Sequence, residues 1–121
     1  MKFISPGLHG VLDYVTVIFL FGSPWLFQME GSLLVFTFIL GGLQLLLSLF
    51  TDYPGGMVKK LSFLLHGLVE FFLSLGLVIA ALYFRHTGAE IGFQYYLCLA
   101  VVYILVFNLT RFNKLSHSLT N

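Results

Sequence analysis

Charged side chains are scarce in this chain. Only 9% of its 121 residues are Asp, Glu, Lys or Arg, whereas 59% are hydrophobic. A soluble domain carries roughly 25% charged residues, so a surface that meets water on all sides is excluded. The formal net charge of +1 provides no basic surface for nucleic acid. The single cysteine, Cys98, excludes a disulfide within one copy of the chain.

Four long apolar runs fill most of the sequence. A hydrocarbon core about 30 Å thick is crossed by a helix of about 20 apolar residues. Membrane-spanning strands would be shorter and would alternate apolar with polar residues. We therefore predict an all-α polytopic membrane protein whose four transmembrane helices form a bundle in the lipid bilayer. The predicted spans are residues 7–28, 33–51, 60–84 and 92–112.

The basic residues lie mostly in the segments that four spans would place on one side of the membrane. That side holds Lys2, Lys59, Lys60, Arg111 and Lys114, and the other side holds Arg85 alone. Loops that remain in the cytoplasm are enriched in Lys and Arg. We therefore expect a multi-pass protein of the cytoplasmic (inner) membrane with both termini in the cytoplasm.

The chain aligns with itself, without a gap, when it is shifted by 57 residues, so that His9 meets His66. The shared pattern is K-x-x-S-x-x-x-H-G-x-x-[D/E]-[Y/F]. This pattern predicts two helical-hairpin repeats, residues 1–57 and 58–121, the second ending in a short polar tail. Because each repeat has two spans, both should lie the same way up. We expect them to be related by a pseudo-twofold axis along the membrane normal.

One part of the first repeat resembles a known family. The sequence HGVLDY, followed by GSPW in the same apolar run, resembles the SPW-repeat family of small bacterial integral membrane proteins. The family's two-helix unit carries the motif that Ser23, Pro24 and Trp25 match. The connection TDYPGGMVKK also resembles the family's inter-repeat segment, so the resemblance covers essentially the whole chain. It implies a fold of membrane hairpins and no particular reaction. Residues 80–82 of the second repeat are Ala-Ala-Leu and lack the motif.

Histidines and acidic residues recur four positions apart inside two of the apolar runs. His9 and Asp13 lie in the first run, and His66 and Glu70 lie in the third. Side chains four residues apart share one face of a helix. A polar group without a partner in hydrocarbon costs several kcal/mol. We therefore predict that these four side chains meet in the interior of the bundle.

The second and fourth runs also carry seams of residues at spacings of three and four. The second run has Thr37, Gly41, Gln44, Ser48 and Thr51. The matching positions of the fourth run are Gln94, Cys98, Val101, Leu105 and Asn108. Because polar residues in a span face protein rather than lipid, we expect Gln44 and Asn108 to join the interior cluster.

Residues near the outer turns have more ordinary predicted roles. Pro24 is expected to kink or end its helix, because it lacks a backbone N–H. Trp25 is expected to be an anchor at the membrane interface. Tyr95 and Tyr96 are expected in the outer aromatic belt.

The predicted cluster is compatible with several functions. Hydrogen bonds between each histidine and an acid would fix helix packing. Two histidines and two carboxylates are also ligands for a divalent ion of Zn, Mn or Fe, although H-x-x-x-[D/E] differs from the E-x-x-H motif of di-iron bundles. Buried His, Asp and Glu residues form proton relays as well. Haem held between His9 and His66 fits less well, because carboxylates would line its pocket.

From these observations we predict a structural or accessory membrane component, as a homo-oligomer or part of a larger membrane complex. The alternative is metal-ion binding, or proton or small-ion conduction, by His9, Asp13, His66 and Glu70. An enzyme is the less supported class, because the sequence has no nucleotide-binding loop, nucleophile–base–acid set or Cys/His zinc motif.

Overall fold

Four long helices account for most of the residues, 2–112, that a computed structural model describes. They are α1 (Pro6–Leu26), α2 (Gly31–Leu49), α3 (Phe63–His86) and α4 (Glu90–Leu109). Each is long and apolar enough to cross a membrane. The predicted spans agree with these bounds to within three residues, so the prediction of an all-α protein with four such helices is confirmed. The predicted polar tail, which contains Lys114 and His117, lies outside the described residues from position 113 onward.

Consecutive helices form two hairpins. Helix α1 packs against α2, and α3 packs against α4. The turns between them are short, residues 27–30 and 87–89. Gly88 has a φ of 88° in the second turn, a left-handed conformation that glycine adopts without strain.

The first helix of each hairpin begins in the same way. Ser5 Oγ accepts a hydrogen bond of 3.1 Å from the Leu8 N–H. Ser62 Oγ accepts one of 3.1 Å from the Leu65 N–H. Such N-cap serines satisfy a backbone donor that has no partner within the helix, so the two serines set where α1 and α3 start.

Two short parallel pairings join the helix ends that lie opposite the hairpin turns. Strand β1 (Thr51–Asp52) follows α2 and pairs with β2 (Leu61–Ser62), which precedes α3. Thr110, which follows α4, forms an isolated parallel bridge with Ile4, which precedes α1. The end of each hairpin is therefore held beside the start of the other.

Helix α4 turns a different face inward from the one predicted. The exposed residues include the whole predicted seam, namely Gln94, Cys98, Val101, Leu105 and Asn108. The buried residues are instead Gly92, Tyr95, Tyr96, Leu99, Ala100 and Tyr103. The cause is a difference in length: α3 has 24 residues and α1 has 21, whereas the second turn is one residue shorter than the first.

Helix α4 therefore starts 59 residues after α2, not 57. A shift of two residues rotates a helix by about 200°, which exchanges its inner and outer faces. The predicted outer-belt position of Tyr95 and Tyr96 is wrong for the same reason. Both rings are buried, with the Tyr95 hydroxyl 2.8 Å from Ser23 Oγ and the Tyr96 hydroxyl 2.5 Å from Thr37 Oγ1. Buried tyrosines need such partners for their hydroxyls.

The other interior predictions agree with the structure. The buried residues include the seam of the second run, Thr37, Gly41, Gln44, Ser48 and Thr51. Helix α1 ends at Leu26, two residues after Pro24.

The interior of the bundle contains two hydrophobic clusters. The larger cluster contains Leu20, Leu77, Ala81 and Phe84 and lies toward the hairpin turns. The smaller one, which we call the aromatic cluster, consists of Tyr53, Phe63 and Phe112 at the opposite end.

Candidate metal centre

The structure brings four of the sequence-predicted side chains into one cluster, which we call the His/carboxylate ring. Its members are His9 and Asp13 of α1 and His66 and Glu70 of α3. Both histidines are 0% exposed and both acids are 5% exposed. One nitrogen or oxygen atom from each residue lies within 4.8 Å of the corresponding atoms of the other three. The ring is therefore compact enough to hold a single ion.

Histidine and carboxylate side chains alternate around the His/carboxylate ring. His9 Nε2 lies 2.9 Å from Glu70 Oε1 and 3.4 Å from Asp13 Oδ1. His66 Nε2 lies 2.9 Å from Asp13 Oδ2 and 3.2 Å from Glu70 Oε2. For each histidine the nearer carboxylate belongs to the other hairpin, so the ring joins the two hairpins.

A threonine of the opposite hairpin orients each histidine. His9 Nδ1 lies 2.9 Å from Thr110 Oγ1, and His66 Nδ1 lies 2.7 Å from Thr51 Oγ1. Each threonine hydroxyl also donates a hydrogen bond of 2.5 Å to the carbonyl oxygen four residues before it. A hydroxyl has one proton to donate. Each threonine oxygen therefore accepts from the histidine, and Nδ1 must carry a proton.

The protonated Nδ1 determines what the other ring nitrogen does. In a neutral histidine with Nδ1–H, the Nε2 atom has a free lone pair, and here both Nε2 atoms point into the His/carboxylate ring. Metal-binding histidines are held in this way, with one nitrogen on the metal and the other donating to an oxygen. Among the described residues, His66 Nε2 has no hydrogen bond of acceptable geometry although it is buried. A bound cation would provide its missing partner.

Donors from outside the ring hold the two carboxylates. Gln44 Nε2 donates to Glu70 Oε2 at 3.0 Å, and the Tyr103 hydroxyl donates to Gln44 Oε1 at 2.8 Å. The Tyr53 hydroxyl donates to Asp13 Oδ2 at 3.0 Å. Burial, followed by the charge of Asp13, raises the pKa of Tyr53 above its ordinary value. Tyr53 therefore remains a hydrogen-bond donor to the carboxylate.

The aromatic cluster covers one side of the His/carboxylate ring. The centroids of Phe63 and Phe112 lie 5.1 Å and 5.8 Å from that of His9. The Tyr53 centroid lies 5.2 Å from that of His66. All three aromatic side chains are buried, so they cover this side of the imidazoles with apolar surface.

The nitrogen–oxygen distances in the His/carboxylate ring are close to those between ligand atoms of one metal ion. Bonds of about 2.0–2.1 Å to zinc would place tetrahedral ligand atoms about 3.3 Å apart. The four nitrogen–oxygen contacts, which involve both oxygens of each carboxylate, are between 2.9 and 3.4 Å. Two imidazoles and two carboxylates, without sulfur, suit Zn²⁺, Mn²⁺ or Fe²⁺. The residues therefore fit a divalent cation.

Asn108 does not belong to the His/carboxylate ring, contrary to the prediction. It lies on the exposed face of α4, and its side chain donates to the Ile104 carbonyl at 2.9 Å. The two-residue difference between the hairpins brings Thr110 to the interior instead. Sequence reasoning missed Thr110 as a partner of His9. The sequence carries no local signal for it, because Thr110 lies 59 residues after Thr51, whereas the repeat is 57 residues.

The residues of the Ser-Pro-Trp motif lie near the other end of α1. Ser23 is buried and its hydroxyl donates to the Phe19 carbonyl at 2.5 Å. Trp25 is 80% exposed. The motif therefore contributes nothing to the His/carboxylate ring.

No protein-family model matches the chain, and no curated protein or solved structure matches it either.

Proposed function

We propose that this protein is a small integral membrane protein in which His9, Asp13, His66 and Glu70 bind one divalent metal ion. The observation that carries the proposal is the convergence of two Nε2 atoms and two carboxylates, all buried and within 4.8 Å. The ion would connect α1 with α3 and so hold the two hairpins together. Its role is structural, within an accessory component that acts as a homo-oligomer or in a larger membrane complex.

Charge balance supports a cation at this place. Two carboxylates and one divalent ion form a neutral set, whereas two carboxylates alone would carry two buried negative charges. An ionised group buried without a partner is costly, and it is more so within a membrane. The cation would therefore stabilise Asp13 and Glu70 in their ionised form.

The outer surface supports a location in lipid. Large hydrophobic side chains on the helices face outward, among them Ile18 at 73%, Phe72 at 66% and Ile79 at 69% exposure. A soluble protein rarely exposes such extended apolar surface. Together with the distribution of Lys and Arg, this supports a multi-pass protein of the cytoplasmic membrane with cytoplasmic termini.

Recurring contacts support the two-repeat architecture. The histidine–threonine contact is made twice, once by His9 and Thr110 and once by His66 and Thr51. The parallel pairing of the helix ends is also made twice. We infer a pseudo-twofold axis along the membrane normal, as in proteins built from parallel repeats. We also propose, from the resemblance of its sequence, that the chain is related to the SPW-repeat family.

A second candidate is a ring that shares protons and holds no metal. The hydrogen bond of 2.9 Å between His9 Nε2 and Glu70 Oε1 favours it. Conduction along the bundle is less well supported, because the ring lies between the aromatic cluster and the larger apolar cluster. Haem would need an imidazole on each face of a flat macrocycle, and the centroids of His9 and His66 are only 5.3 Å apart.

The decisive experiment is elemental analysis of protein purified without chelator and then equilibrated with Zn²⁺. We expect one metal ion per chain. His66→Gln should lose the ion, whereas His86→Gln, at an exposed histidine of the described chain, should keep it. A wild-type protein that retains no metal, or a folded His66→Gln variant that retains all of it, would contradict the proposal.

A further inference from the structure

A lateral cavity between α1 and α4 reaches the carboxylates of the His/carboxylate ring. Its volume is about 280 Å³, with Asp13 and Glu70 among its lining residues. Its apolar walls are Leu12, Val15, Phe19, Leu99, Val102 and Val106. Because the outer surfaces of α1 and α4 would face lipid, this cavity would open into the bilayer.

A second cavity continues the first toward the hairpin turns. Its volume is about 390 Å³, and it shares Phe19, Leu99 and Val102 with the first. The Phe19 ring stacks on Tyr95, with centroids 5.7 Å apart and planes 9° apart. The two cavities are therefore adjacent and share an aromatic wall, and we call them together the lateral groove.

The polar atoms at the inner end of the lateral groove accept hydrogen bonds and do not donate them. With a metal ion bound, Asp13 and Glu70 are ionised and only accept. The Thr16 hydroxyl gives its proton to the carbonyl four residues earlier, at 2.8 Å. The Tyr103 hydroxyl gives its proton to Gln44. A ligand that reaches this end must therefore bring the donor itself.

We propose that the lateral groove binds a lipid-soluble phenol or quinol. Its hydroxyl would donate to Asp13 or Glu70, and its apolar tail would lie along the second cavity. An apolar cavity of about 150 Å³ holds benzene, so the first cavity has room for a substituted ring. A neutral donor is favoured over an ammonium group, because two carboxylates with a divalent ion have no net charge. This inference rests on the proposed metal site and concerns binding alone.

The test is binding of decylhydroquinone to the protein in nanodiscs under reducing, anaerobic conditions, followed by saturation-transfer NMR. The dimethyl ether of the same molecule, which has no donor, is the matched probe. We expect saturable binding of the hydroquinone and none of the ether. Equal binding of both would overturn the assignment of the head group, and so would saturable binding of decylamine with none of the hydroquinone.

Two neighbouring valines provide matched variants. Val102, which is 47% exposed, lines both cavities, whereas Val101, which is 52% exposed, lines neither. Val102→Trp should fill the groove and abolish binding, and Val101→Trp should bind as the wild type does. Unchanged binding by Val102→Trp would overturn the groove as the site.

Metal content measured on the same samples separates this inference from the proposed function. Metal-loaded wild-type protein that fails to bind the hydroquinone contradicts the lateral groove alone. Wild-type protein that retains no metal contradicts the metal site, and with it the argument for a neutral donor.

Discussion

His66 Nδ1 lies 2.7 Å from Thr51 Oγ1, and this contact determines which nitrogen of the imidazole faces the carboxylates. The Thr51 hydroxyl proton is already engaged by a carbonyl oxygen, so the histidine has to be the donor. His9 and Thr110 make the same contact at 2.9 Å. The two threonines are therefore positioning residues for the histidines of the proposed metal site.

We predict that Thr51→Val weakens metal binding by about 10- to 100-fold, the usual cost of removing an outer partner of a ligating histidine. Valine has nearly the same shape but cannot accept the Nδ1–H proton. Competition with a chromophoric chelator would measure the affinity. In metal-free protein, ¹⁵N NMR of the histidines should show that His66 loses its preference for the Nδ1–H tautomer.

The matched control for this prediction is Thr51→Ser, which keeps a hydroxyl. It should retain both the tautomer and most of the affinity. A wild-type His66 that carries its proton on Nε2 would contradict the positioning role, as would a Thr51→Val variant with unchanged affinity and tautomer.

We predict that His66 and Glu70 are coupled in the metal-free protein. Either His66→Leu or Glu70→Leu leaves buried polar partners unsatisfied, at a cost of about 1–3 kcal/mol. The double variant removes both members of the pair, so its loss should be smaller than the sum of the two single losses. Thermal unfolding in detergent with excess chelator measures all three variants. Additive losses would show that the two side chains act independently.

We predict that Gly10 of α1 tolerates substitution by alanine, whereas Gly67 at the equivalent place in α3 does not. A Cβ atom at Gly67 would overlap the ring of Phe112, which is buried, whereas one at Gly10 would lie 3.4 Å from Tyr53. Overpacking of this kind costs about 1–3 kcal/mol, so Gly67→Ala should lower the unfolding temperature. Gly10→Ala should leave it nearly unchanged. Equal effects of the two substitutions would mean that the Phe112 ring moves aside freely.

We predict that both termini lie in the cytoplasm, because Lys and Arg are concentrated on that side. A reporter fused at Asn121 and one inserted between Arg85 and Glu90 should therefore report opposite sides of the membrane. A periplasmic reporter signal at Asn121 would contradict both the orientation and the even number of spans.

The helices were predictable because each is a long apolar run, and helix length in a membrane follows from its thickness. The pairing of His9 with Asp13, and of His66 with Glu70, was predictable from helical spacing. The contact of His9 with Thr110 was not predictable from the sequence. Whether Asn108 or Thr110 faces inward depends on a longer α3 and a shorter turn, and no local pattern marks that change. The buried position of Tyr95 likewise depends on a hydroxyl of another hairpin, that of Ser23.

The start of α3 also differs from the prediction. The predicted third span begins at residue 60. In the structure α3 begins at Phe63, because residues 61–62 pair with β1. Glu70 is therefore seven residues, or about 11 Å, from the start of the helix. A short strand pairing of this kind is not visible as a pattern in the sequence.

Each histidine takes both its threonine and its nearer carboxylate from the opposite hairpin, and this exchange has a consequence for assembly. Each hairpin by itself contributes only one histidine and one acid to the His/carboxylate ring, and neither contains the threonine that orients its own histidine. A chain whose hairpins have not yet docked should therefore release the proposed metal ion readily, while a fully assembled one should keep it. The fraction of chains that hold metal would then report the fraction that has completed folding in the membrane.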